Sequence, residues 1–185
     1  MESTDEDLYR RMRAGDRGAF EQLYERREPG LFRYALHASG DRTIAEEAVH
    51  EAFLALIQPA ARFDPERGRL EGYLYGIVRN RVRVAMRTRP AEPSREPAAE
   101  SGLLHSLIGD EQVRALRGAI RELPGAYRDA VVLCDLEERS YEDAARVMEC
   151  PVGTVRSRLH RARAMLASKL QSLRIAVGVR SEVRS

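Results

Sequence analysis

The chain contains no tryptophan, two cysteines, and a single lysine against thirty arginines. Cys134 and Cys150 match neither a disulfide framework nor a zinc-ligand spacing, and lone cysteines usually serve as small core hydrophobes. No nucleophile–base constellation and no glycine-rich phosphate loop occurs, which argues against an autonomous enzyme. Neither a cofactor nor a metal is therefore expected. There is no signal-peptide pattern and no apolar run long enough to span a bilayer, so no membrane insertion and a cytoplasmic location are expected.

Acid is the other conspicuous absence, and it is local. Val78 to Ala91 carries Arg79, Arg81, Arg83, Arg87 and Arg89 without one carboxylate. Cys150 to Ser181 carries seven basic residues, again without an acid. In a chain of net charge +2, two such blocks suggest two places that meet phosphate. Arginine is the better fork for phosphate and guanine edges, although a GC-rich genome produces the same bias.

What is present reads as helix throughout. Hydrophobic residues make up 43% of the chain and charged ones 32%, so cores can form. Helices are expected over Asp5–Ala14, Ala19–Ser39, a segment opened by a Thr43/Glu46 capping box, and a basic segment within Arg62–Arg87. Further helices are expected near Asp110–Glu122 and Ala126–Asp135. The stretch Thr88–Ser101, with prolines at 90, 93 and 97, favours an extended connection. Its fourteen residues reach at most about 40 Å in polyproline geometry, slightly more than one turn of duplex DNA.

The most informative stretch is Tyr141–Leu170. It reads as a short helix capped by Ser140, a tight turn, and a second helix. Val155, Leu159, Ala162 and Leu166 fall at helical spacing and make one buried stripe. Ser157, His160, Arg161 and Ala164 lie roughly opposite. Such a helix is shaped for the DNA major groove. The bland alternative is a solvated helical hairpin; the small residues Pro151-Val152-Gly153-Thr154 and the lack of acidic partners weaken it.

Ile120–Leu133 (IRELPGAYRDAVVL) followed by Ser140–Leu166 (SYEDAARVMECPVGTVRSRLHRARAML) resembles the promoter-reading C-terminal domain of an extracytoplasmic-function (ECF) sigma factor of the sigma-70 family. Ala14–Leu36, Gly40–Ile57 and Arg62–Arg83 resemble, in the right order, that family's core-binding and promoter-melting domain. The resemblance spans about Asp7 to Leu170. It implies an all-α fold of two small helical domains joined by a flexible linker, the C-terminal one containing the helix-turn-helix. The expected division is 1–87, a linker 88–108, 109–170, and a C-terminal tail 171–185.

The resemblance also implies roles. Glu47, His50, Glu51 and Leu54 fall on the helix that contacts the clamp of the largest subunit of RNA polymerase core. Asp64, Arg69, Tyr73, Tyr75, Arg79, Asn80 and Arg83 fall where the −10 element is read and opened, with Arg81 beside them. Aromatic rings for stacking and cations for the displaced strand are the residue types that melting needs. Packing in the core is the competing expectation for at least one of the tyrosines. Thr154, Arg156, Ser157, Arg158 and Arg161 fall on the −35 contact. The family commonly has tryptophan where Tyr73 stands and glycine where Glu149 stands. An anti-sigma factor is a further implied partner, beside core polymerase and double-stranded and melted promoter DNA. The alternative within DNA binding is a stand-alone helix-turn-helix regulator that never joins polymerase. A pure interaction protein working through the acidic helix is the alternative outside it.

Overall fold

Helix starts in this chain are fixed by short polar side chains. The computed structural model describes residues 3–58, 63–88 and 107–182. Thr4 Oγ1 accepts from the Asp7 amide at 3.1 Å, and the Asp7 carboxylate accepts from the Thr4 amide at 3.3 Å. This reciprocal box opens α1, Asp5–Arg13. Asp16 accepts from the Ala19 amide at 3.1 Å and opens α2, Arg17–Ser39.

The start of α3 differs from the sequence expectation. It spans Arg42–Ile57 and is capped by Asp41, whose carboxylate accepts from the Ile44 amide at 3.1 Å. Thr43 lies inside the first turn instead. The reason is the preceding turn: Gly40 adopts a left-handed backbone, and Ser39 Oγ takes the Asp41 amide at 3.1 Å. That places Asp41, extended, at the mouth of the helix.

A single 3-10 turn, Pro65–Arg67, leads into α4, Leu70–Thr88. Helices α1 to α4 close around Leu8, Leu23, Leu31, Leu56, Leu70, Leu74 and Val78, all fully buried. Each such side chain contributes roughly 1.5–3 kcal/mol by leaving water.

The second half begins with α5, Leu107–Arg121. The Leu123-Pro124 turn follows, then α6, Gly125–Val131, which passes into a π-helical turn over Val132–Leu136. Ser140 Oγ accepts from the Asp143 amide at 3.0 Å and starts α7, Tyr141–Met148. Helix α8 runs from Val152 to Glu182. Val155, Leu159 and Ala162 are buried to within 1%, and Leu166 is buried too, so the stripe read from periodicity is the packed one. From residue 171, the expected start of the C-terminal tail, the chain continues this helix as far as Glu182. Most of the expected linker, 88–108, lies outside the described residues, apart from Thr88 and the first two residues of α5.

No strand occurs among the described residues. The halves are in contact: α4 packs on α7, and α2 packs on α5 and the π-helical turn.

Candidate nucleic-acid interface

The helix-turn-helix depends on its turn. The Cys150 amide donates to the Ala145 carbonyl at 3.1 Å, and the Glu149 amide to the Arg146 carbonyl at 3.2 Å. These are the paired bonds of a Schellman motif, which places the residue between helix and exit in the left-handed region. That residue is Glu149, with φ 51 and ψ 49. The backbone has kept the geometry that glycine would favour and made a glutamate adopt it. Pro151 then accepts from the Thr154 amide at 2.8 Å and launches α8 without an acid in its first turn.

On the outward face of α8 the arginines differ in freedom. Arg156 is exposed, with its guanidinium 5.6 Å from the centre of the Tyr141 ring. Half-buried Arg158 lies over Cys150, Nη1 to Sγ 3.6 Å. Arg163 is held by both Asp135 carboxylate oxygens, at 3.1 and 2.5 Å. Exposed Ser157 donates through Oγ to the Thr154 carbonyl at 3.0 Å. Arg161 and His160 are exposed. The structure therefore brings Thr154, Arg156, Ser157, Arg158 and Arg161 onto one surface.

The residues expected at the −10 element also converge. Asp64, Arg69, Tyr73, Tyr75, Arg79, Asn80 and Arg83 all line one cleft of about 1020 Å³, whose far wall is built by Arg139, Asp143 and Arg146. Arg69, Asn80 and Arg83 are exposed. Tyr73 is half-buried in an aromatic chain, 5.5 Å from Phe63, which meets Tyr9 edge-on at 5.1 Å. Asp64 caps the 3-10 turn, accepting from the Glu66 amide at 3.0 Å.

Two of the seven are buried in this arrangement. Tyr75 is 2% exposed, against Tyr34 at 5.5 Å, with the Arg139 guanidinium 4.3 Å above its ring. Burial pushes its phenol up from the ordinary range. For Tyr75 the core expectation is the one the packing meets. Arg79 is 9% exposed and donates through Nε to Asp129 Oδ2 at 2.7 Å and through Nη1 to the Val147 carbonyl at 3.3 Å.

The outward face of α3 presents Glu47, His50 and Leu54, with Ala45, Ala48, Val49, Ala52, Phe53 and Leu56 beneath. Glu51 is half-buried and paired with Arg81 across α4, at 2.5 Å. Ile57, absent from the sequence-based set, adds an exposed apolar side chain one turn beyond Leu54. Its signal was available, since three residues along a helix return to the same face.

Sequence reading missed Asp129, Arg139 and Tyr34. Asp129 is 4% exposed and accepts from the buried Tyr34 hydroxyl at 3.4 Å. An acid three and four residues before Val132 and Leu133 on the inward side of a helix was the available clue. Among the described residues no cluster of three or more histidine, cysteine or acidic side chains could hold a metal, and no helix is long and apolar enough to cross a membrane.

Family models match both halves: sigma-70 region 2 over residues 23–90 and sigma-70 region 4 over residues 113–166. The ECF RNA polymerase sigma-E factor of Haemophilus influenzae is 32% identical over 191 residues, covering 92% of this chain and 97% of that protein. The ECF RNA polymerase sigma factor SigE of Mycolicibacterium smegmatis is 33% identical over 168 residues, covering 84% of this chain. This chain spans 64% of that relative's length. Among solved structures, the sigma factor RpoE in complex with the anti-sigma factor NepR from Bartonella quintana is similar with a TM-score of 0.65 at 25% identity. That likeness covers 82% of this chain and 96% of RpoE.

Proposed function

This chain belongs to the ECF sigma factors of the sigma-70 family, and from that premise we propose how its two halves start transcription. It acts as an alternative sigma factor, a transcription initiation factor that joins bacterial RNA polymerase core and directs it to promoters. The observation that carries this is the pairing, in order, of a region 2 half and a region 4 half. Each half gathers cations onto one surface.

In the region 4 half, α8 enters the major groove of the −35 element. Arg156 and Arg161 supply forks for guanine edges or phosphates, and Arg158 and Thr154 flank them. Gly153, which has no side chain, and the small Ser157 let the backbone approach. In the region 2 half, Asn80 and Arg83 hold the −10 strand, and Tyr73 offers a face for an unpaired base. The loop from Asp64 to Arg69 receives an extruded base, whose extrusion costs a few kcal/mol.

Glu47, His50 and Glu51 with Leu54 and Ile57 form the polymerase-facing surface. Carboxylates around an apolar centre suit a basic partner helix. The chain supplies no reaction of its own; bond formation belongs to the polymerase. We place its action in the cytoplasm, where polymerase and promoter are. An anti-sigma factor is a fitting partner, as NepR is for Bartonella quintana RpoE.

Run-off transcription with purified core polymerase on templates from the organism's own genome is the test. Initiation that depends on this chain supports the reading. Binding to core without initiation from any template rejects it.

A further inference from the structure

Arg79, a residue assigned to the opened promoter, is in this structure occupied by the protein itself. Its guanidinium reaches from α4 into the helix-turn-helix half, where Asp129 of α6 holds it at 2.7 Å. Both residues are buried, and they come from opposite halves, fifty positions apart. The second guanidinium nitrogen caps the C-terminal end of α7 through the Val147 carbonyl at 3.3 Å. The buried Tyr34 hydroxyl of α2 donates to the other Asp129 oxygen at 3.4 Å.

Beside the apolar core that the two halves share, further polar contacts cross the seam around this pair. Arg139 joins Glu71 at 2.7 Å and covers Tyr75. Arg33 joins Glu137 at 3.3 Å, and Arg128 donates to the Ala38 carbonyl at 3.0 Å. Gly40 lies against Arg121 of α5 so closely that a Cβ there would collide with the arginine side chain.

From these contacts we infer that the seam is an autoinhibitory latch in which Asp129 takes, on Arg79, the place of a DNA phosphate. The inference rests on the assignment of α4 to promoter opening. A carboxylate and a phosphate are both charge-assisted acceptors for guanidinium, so the two compete for one cation. A buried ion pair adds little net stability over well-packed alternatives, but removing one partner leaves an uncompensated charge and is strongly unfavourable. The closed state is therefore specified by the pair without being held shut irreversibly. While it persists, Arg79 is withheld from DNA. Opening restores it, and by linkage DNA that binds it favours opening.

The test uses the full chain without polymerase. Small-angle scattering reports closure: a compact chain of this length has a radius of gyration near 16 Å. Binding of a labelled single-stranded oligonucleotide of mixed sequence reports access to α4. Asp129→Asn should raise the radius of gyration by several ångströms and tighten oligonucleotide binding about tenfold, the factor expected when a competent state held near one-tenth becomes dominant. Glu21→Gln, which alters the charge equally at an exposed position of α2, should change affinity by less than about twofold. Arg139→Met removes a seam contact outside the DNA-facing set and should shift both readouts in the same direction by less. It also carries the test should Asp129→Asn lose its helical circular dichroism.

Unchanged radius and affinity in both seam variants, or an already expanded wild type, overturns the latch. Failure of wild type and open variants alike in run-off transcription overturns the sigma-factor reading instead and leaves the scattering result to decide the latch.

Discussion

Replacing Glu149 by glycine should stabilise the protein, although the glutamate is exposed. Its φ of 51 lies in the left-handed region, where a side chain crowds the following carbonyl at a cost of roughly 1–2 kcal/mol. Glycine removes that cost. It also gives the unfolded chain more freedom, which returns roughly 0.5–1 kcal/mol. The net gain is about 0.5–1 kcal/mol. In a chain of this length that is about 1–4 °C in Tm. The Schellman bonds from Cys150 and Glu149 are backbone-only and survive the change. Thermal unfolding followed by circular dichroism is the assay, with Glu149→Ala as the companion. Alanine has the same backbone strain and no charge, so it should leave Tm nearly unchanged. If Glu149→Ala stabilised as much as Glu149→Gly, the carboxylate rather than the backbone would be the cause. A Glu149→Gly variant less stable than wild type would refute the strain argument outright.

Four further outcomes are expected. Arg161→Ala should weaken duplex binding by about 1–3 kcal/mol if it reads a base, or reduce the log–log salt slope by about 0.9 if it meets a phosphate, with Tm unchanged in either case. The His37 imidazole is held below its ordinary 6.5, chiefly by burial and then by Arg117 and Arg33. Folded chains therefore bind fewer protons than unfolded ones just below pH 6.5, so stability should fall on acidification through that window, and His37→Gln should flatten the slope. The Glu137 carboxyl is raised above 4.5, mainly by burial, so its contribution has the opposite sign near that pH: stability is lost as pH rises through the folded value. Burial, with Asp135 beside it, pushes the Cys134 thiol up to about 11. At pH 8 only on the order of one molecule in a thousand carries the thiolate there, so iodoacetamide should label Cys134 far more slowly than a free thiol, as read by peptide mass spectrometry.

Local physics was legible in the sequence and distant pairing was not. The α8 stripe of Val155, Leu159, Ala162 and Leu166 is visible because burial imposes a period of 3.6 on any helix that packs by one face. Ser140 as a cap is visible for the same reason of short range. The Thr43 cap failed because Asp41, helped by Gly40 and Ser39, offers the better acceptor two residues earlier. A capping-box spacing cannot rank such neighbours. Arg79 reads as a nucleic-acid contact because it lies in an acid-free basic block and falls where the family resemblance puts the −10 element. Its burial depends on Asp129, fifty residues away, and no window on the sequence contains both. Glu149 was legible as an anomaly, but only the structure shows that the turn kept its left-handed form.

The arginines of α8 also bear on what charge means for this molecule. Composition gives a valence by adding residues; DNA experiences a valence set by the fold. Asp135 cancels Arg163, the Tyr141 ring softens Arg156, and Arg158 leans inward on Cys150. Arg161 remains as the cation least committed elsewhere among the described residues of that face. Ion release on binding counts such uncommitted cations, so a titration against salt reads how this protein is folded as much as what it is made of.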